Sequence, residues 1–186
     1  MDARLNRCRG APIGSDVPGM NTTTNEVLDW IAGQGHQLAG LVDGLDETQL
    51  RARPLPSGWS MLGLLGHVAD STHFWLHHVL LGHPVGMDED EAWPNDPADA
   101  ASDVVAQFVA SYAADVAAVR EAALDAKEPP RWWPEGAWGG YRQDTVLGVL
   151  LHLFADNAAH TGQLAIVREL ADGGVWDYSV SGVRVP

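Results

Sequence analysis

The sequence predicts an all-α fold: a four-helix bundle joined by long connections. Three observations carry this. Four long segments repeat apolar side chains at helical spacing. Breakers rich in Pro and Gly separate them. The 186 residues, 46% of them hydrophobic, fit one domain with a sizeable core. Long amphipathic segments that must each bury a stripe are satisfied by packing on one another.

Residues 1–21 are rich in Gly, Pro and Arg, lack periodicity and read as a mobile leader, with Met20 an alternative start. They have no apolar h-region and so are no secretory signal. Cys8, the single cysteine, permits no internal disulfide and no thiolate cluster; it reads as a tail thiol, suited to a reducing cytoplasm. The first helix is expected from Thr23, where Thr23-Thr24-Asn25-Glu26 fits a capping box, to about Val42. Val27, Leu28, Ile31, Leu38, Leu41 and Val42 form its apolar face; Gly33, Gly35 and Gly40 weaken it, and His36 reads as a boundary residue. A helical turn at Asp46–Arg51 precedes the breaker Pro54-Leu55-Pro56-Ser57-Gly58.

The second helix is expected over Ser60–Leu81, with Met61, Leu62, Leu65, Val68, Leu76 and Val79 toward the core. His67 lies on another side, in line with Ser71, Phe74 and His78. His73 and His77 form an i, i+4 pair nearer the polar flank; with no carboxylate between them they read as a solvated face rather than a metal site. An acidic loop, Gly82–Pro97, leads to the third helix, Asp99–Ala126, whose Val104, Phe108, Tyr112, Val116 and Val119 face the core. The connection KEPPRWWPEGAWGGYRQ holds Trp132, Trp133, Trp138 and Tyr141. Two readings stand: these rings cap one end of the core, or they wall a substrate pocket beside the last helix. The bundle spans residues 22–173. Gly173-Gly174 ends regular structure, and 174–186 is a tail in which Trp176 and Tyr178 dock on the body.

The last helix, Asp144–Ala171, is apolar on nearly every face and is expected to be buried. Yet His152, Asp156 and His160 recur every four residues, which keeps them on one side. Thr145 and Gln163 fall on the same line. A charge in an apolar interior needs a partner, and a metal ion shared with a histidine supplies one for Asp156.

The net charge of −14, from 25 acidic and 11 basic residues, argues against nucleic acid, which demands a basic patch, and against an anionic membrane surface. No apolar run reaches the roughly 20 residues of a membrane span.

Three segments resemble the DinB-like superfamily of metal-binding four-helix bundles. They are Leu45-Asp46-Glu47 through the Arg-Pro break, Gly58-Trp59-Ser60 with Leu65-Gly66-His67-Val68-Ala69-Asp70, and His152 through His160-Thr161-Gly162-Gln163. With the intervening helices, the resemblance covers about residues 24–172. It implies a divalent-metal site made by His67, Asp156 and His160. Many relatives have His at the middle position, and the branch resembling mycothiol-dependent maleylpyruvate isomerase has Glu; this chain has Asp, one methylene shorter. The isomerase's additional C-terminal domain is not seen here, so its own reaction is not implied. His152, Gln163, Ser71 and Phe74 are expected to brace the ligands or line the pocket, a buried structural hydrogen bond being the alternative for His152. Relatives often pair, which implies a homodimer.

Two imidazoles and a carboxylate suit zinc, with nickel, iron or manganese as alternatives, and three protein ligands leave a position open. Zinc deprotonates a bound thiol near neutral pH, and it can equally activate water. The reading carried forward is a metal-dependent S-transferase that activates a low-molecular-weight thiol, mycothiol by resemblance, for attack on a small electrophile. One alternative is a thiol-independent hydrolase, lyase or cyclase acting on a small natural product. Another is a non-catalytic metal-binding stress protein.

Overall fold

Four long helical segments carry the core. The computed structural model describes residues 22–86 and 97–186; the expected leader with Cys8 and Met20, and most of the acidic run, lie outside the described residues. Helix α1 is Thr22–Val42, the short α2 is Glu47–Arg51, α3 is Met61–His73, α4 is Ala101–Glu121 and α5 is Val146–Asp172. Both α1 and α3 pack on α4 and on α5, so α1 and α3 stand diagonally across the bundle. The all-α bundle is thus as expected, and no helix among the described residues is long and apolar enough to cross a membrane.

In α1, Leu28, Ile31, Leu38 and Leu41 are fully buried, each contributing about 1.5–3 kcal/mol by leaving water. The helix begins at Thr22, so Thr23 lies within it instead of capping it. The buried Thr24 hydroxyl donates to the Leu124 carbonyl at 3.1 Å, tying the start of α1 to the chain beyond α4. Helix α2 forms as expected and opens on a capping box, with Asp46 and Gln49 exchanging side-chain and backbone hydrogen bonds. Its Arg51 holds the far side of the acidic connection through the carbonyls of Pro97 and Asp99.

Ser60 caps α3 by accepting from the Gly63 N–H at 2.9 Å. Past His73 the expected α-helix widens into a π-helical segment, Phe74–Leu80. There the Leu81 and His83 N–H groups reach back five residues, to Leu76 and His78. The Val79 carbonyl is thereby released, and it accepts the Trp132 N–H at 3.1 Å, docking the aromatic connection.

Helix α4 buries Val104, Phe108, Tyr112, Val116 and Val119 as expected. It stops at Glu121, short of Ala126, because Ala123 turns left-handed (φ 49°) and Leu124 and Ala126 fold back into the core. Thr145 caps α5, and Gly173, left-handed at φ 76°, ends it.

Burial of α5 on nearly every face does not occur. Val149, Leu150, Leu153, Leu164 and Val167 are buried, but Leu151, Ile166 and Leu170 are 49%, 53% and 59% exposed. Among the described residues this helix packs chiefly on α1 and on α3 with its continuation, and the side that carries Leu151, Ile166 and Leu170 stays largely uncovered.

Regular structure also continues past Gly174, contrary to expectation. Val175–Asp177 and Gly182–Arg184 pair as an antiparallel hairpin, β1 and β2. Trp176 docks over Gly40, where an added methyl would come within 2.5 Å of the ring. Tyr178 does not dock as a ring; it is 79% exposed, with its hydroxyl in reach of Gln37. The buried Arg168 staples this end, donating to the carbonyls of Leu41 and Asp43 and to Asp172.

Candidate metal centre

Helix geometry brings the predicted ligands together at the α3–α5 seam. His67 comes from α3, Asp156 and His160 from consecutive turns of α5, and one donor atom from each lies within 4.8 Å of the other two. All three side chains are half-buried. His160 Nε2 stands 3.6 Å from Asp156 Oδ1, and the His67 and His160 rings meet edge to face at 4.8 Å.

The neighbours set the donor atoms. His160 Nδ1 pairs with Gln163 Oε1 at 2.9 Å. An amide oxygen can only accept, so Nδ1 carries the proton and Nε2 points a lone pair toward Asp156. Ser71 Oγ donates to Asp156 Oδ2 at 3.4 Å, leaving Oδ1 for the centre. Burial depresses the basicity of His67, the nearby His160 depresses it further, and Asp156 opposes them. Trp59 covers this imidazole at 5.3 Å. A neutral imidazole is the form that ligates a metal.

These residues fit a divalent ion. Two ligand atoms on one tetrahedral ion, each about 2.0–2.2 Å from it, stand roughly 3.4 Å apart. The 3.6 Å between His160 Nε2 and Asp156 Oδ1 matches that spacing. An ion seated between these two atoms would be ligated by both.

One turn before Asp156, His152 Nδ1 pairs with the Tyr141 hydroxyl at 2.9 Å, and Gln143 Nε2 donates to the same hydroxyl at 2.7 Å. The His152 ring also meets Trp75 at 4.6 Å. Trp133 lies 5.6 Å from Trp75 and 6.2 Å from Tyr141, with the Arg142 guanidinium over its face at 5.7 Å. Trp75, Trp133, Tyr141 and His152 therefore form one aromatic group beside the centre. Of the other predicted pocket residues, Phe74 and Trp132 pack edge-on against each other at 6.1 Å, and the Trp138 side chain lies outside the described residues.

Several contributors escape sequence reasoning. Trp75, rather than Phe74, continues the His67–Ser71 line toward α5, because the helix widens at this point. Gln143 looks like an ordinary loop residue. The buried hub is also hidden: Asn157 Nδ2 donates to the Tyr112 hydroxyl at 2.9 Å and reaches Thr72 Oγ1 at 3.5 Å. Tyr112 in turn donates to the Ile31 carbonyl at 2.9 Å. This hub touches all four long helices and fixes the rotation of α5, and with it the aim of Asp156. The signal available for it was a lone Asn at a core-facing position of an apolar helix.

A separate groove of about 710 Å³ follows the α1–α4 seam, across the bundle. Ala32, Gly35, Ala39, Ala113 and Ala117 keep it open, and it holds none of the candidate ligands.

The mycothiol-S-transferase family profile matches residues 26–173. No curated protein and no solved structure matches the chain. The match takes in every element that builds the site, from α1 to the end of α5, and the chain belongs to the mycothiol-S-transferase family, a DinB-like family.

Proposed function

We propose that this protein is a divalent-metal-dependent S-transferase that joins mycothiol, or a thiol like it, to a small electrophile. His67, Asp156 and His160 hold the ion, with zinc foremost and nickel, iron or manganese suited to the same donors. The observation that carries the reading is the convergence of these three side chains from two helices, within a chain of this family. A divalent ion bound there would supply the positive charge that favours the thiolate, the nucleophilic form of a thiol.

The chain's own residues do the rest. Gln163 holds His160 in the tautomer that presents Nε2. Ser71 steadies Asp156 by engaging its second oxygen. Burial lowers the basicity of His67, which favours the neutral form that ligates a metal. Trp75 and Trp133 offer an apolar wall for the electrophile, and the Gln143–Tyr141–His152 chain offers polar atoms for its orientation. Sulfur forms a new bond to carbon. The thiol proton passes to solvent; a displaced halide leaves with its electron pair, an opened epoxide keeps the pair on oxygen and takes up a proton, and an activated alkene, whose π bond breaks, takes up a proton on carbon.

The test is turnover. Protein loaded with zinc is given mycothiol and a panel of epoxides, alkyl halides and activated alkenes, and loss of free thiol is followed. Thiol consumption that requires metal and disappears in His67→Ala supports the reading. Absence of thiol-dependent consumption across the panel would overturn it, and metal-dependent turnover indifferent to thiol would point to hydrolysis instead.

A further inference from the structure

Four of the protein's 8 histidines, His73, His77, His78 and His83, fall together at the end of α3, on the π-helical segment and just after it. The sequence offers them no adjacent carboxylate, but the fold supplies one. Asp115 arrives from α4, 7% exposed, and His73 Nδ1 lies 3.0 Å from both of its oxygens. The His73 and His77 rings stack at 4.6 Å with their planes 13° apart, and His77 and His83 stack at 4.2 Å and 15°. His78 Nδ1 pairs with the His83 backbone carbonyl at 2.6 Å, which pins the turn that carries His83. One donor atom each from His73, His77 and Asp115 lies within 4.8 Å of the other two.

We infer that His73, His77 and Asp115 form a second metal site, at the α3–α4 seam, which takes a borderline divalent transition ion such as Zn²⁺ or Ni²⁺, with His83 flanking it. Two features support this. Imidazole nitrogen with one carboxylate is the donor set such ions prefer, while Mg²⁺ and Ca²⁺ prefer oxygen alone. A buried carboxylate supplies negative charge that the ion offsets. The widened helix contributes too, since single π turns often mark functional sites. His67 and His73 are six residues apart, about 9 Å along the axis, and face different partner helices, so the two centres are separate.

The test is a Ni²⁺ titration of the full-length, metal-stripped protein, with stoichiometry read by calorimetry and elemental analysis. Wild type should take about two ions per chain. His77→Ala should take one, and so should His67→Ala/His160→Ala, each with the circular dichroism of wild type. Imidazole NMR signals of His73 and His77 should shift in the double variant that lacks the α3–α5 ligands, and Ni²⁺ should raise its Tm. A wild type that binds one ion, lost in His67→Ala/His160→Ala, would overturn the inference. So would a second ion that persists in His77→Ala. Should Asp115→Asn fail to fold, His77→Ala still decides the question, and it leaves the α3–α5 centre intact.

Discussion

Replacing Tyr112 by phenylalanine removes one oxygen and should destabilise the whole bundle. The residue is 4% exposed, and phenylalanine fills the same space, so no cavity term enters. The Ile31 carbonyl loses a bond but keeps its place in the α1 ladder. Asn157, 0% exposed, keeps only the 3.5 Å reach to Thr72 for its Nδ2 group. A buried amide left nearly unpaired costs about 1–3 kcal/mol. Near 2 kcal/mol, the folded-to-unfolded ratio falls about 30-fold, and Tm drops by about 4–8 °C for a chain of this size. Urea unfolding of metal-free protein measures it. In a double-mutant cycle, Tyr112→Phe with Asn157→Leu should cost clearly less than the two singly, because each change removes the same bond. A loss under about 0.5 kcal/mol, or strict additivity, would refute the hub. A pH signature accompanies it. Burial pushes the Tyr112 phenol well above its ordinary 10.0, with the Asn157 and Thr72 hydrogen bonds opposing. The folded state thus resists ionisation, so this contribution is intact below pH 10 and is lost as pH rises beyond it. Tyr112→Phe should lack that alkaline loss.

Three further outcomes follow from other contacts. Gln163→Ala frees His160 Nδ1, and zinc affinity by competition with a chelating indicator should fall about 10-fold or more, the low end for such bracing contacts because Gln163 is exposed. Gly40→Ala places a methyl 2.5 Å from Trp176, so the hairpin should undock, red-shifting tryptophan emission while α-helical circular dichroism holds. His67 titrates below its ordinary 6.5, so in metal-free protein the unfolded chain binds the extra proton first as pH falls. Its contribution is present above pH 6.5 and lost on acidification, and His67→Asn should flatten that slope in urea midpoints measured on either side of pH 6.5.

What was legible in the chain was what lies close in sequence. His152, Asp156 and His160 declare themselves because a step of four residues holds one side of a helix. The helical turn beginning at Asp46 is legible for the same local reason, whereas the Asp46 and Thr145 caps emerge only in the fold. His67 could not be chosen by periodicity; the Gly66-His67 match to the family singled it out, and the fold then set it beside Asp156 and His160. Contacts made at long range stayed hidden. Asp115 lies 42 residues from His73, so the histidine pair looked like a solvated face. Tyr112 counted as one more core ring, though its hydroxyl is the hub's centre. The π turn, which aims Trp75 at His152, answers to the docking of Trp132 on the Val79 carbonyl rather than to its own apolar pattern. Two of the three glycines that weaken α1 have a tertiary explanation: Gly35 admits the Tyr112 ring and Gly40 admits Trp176, each where a methyl would stand 2.5 Å away.

The central claim is that a thiol is activated at His67, Asp156 and His160. Cobalt(II) substitution tests it most directly, because sulfur bound to this ion gives a near-ultraviolet charge-transfer band. Adding mycothiol to the cobalt protein should produce that band in wild type and in His77→Ala, and not in His67→Ala or Asp156→Ala. A band that never forms in cobalt-loaded wild type, or one that survives loss of His67 and Asp156, would contradict the account.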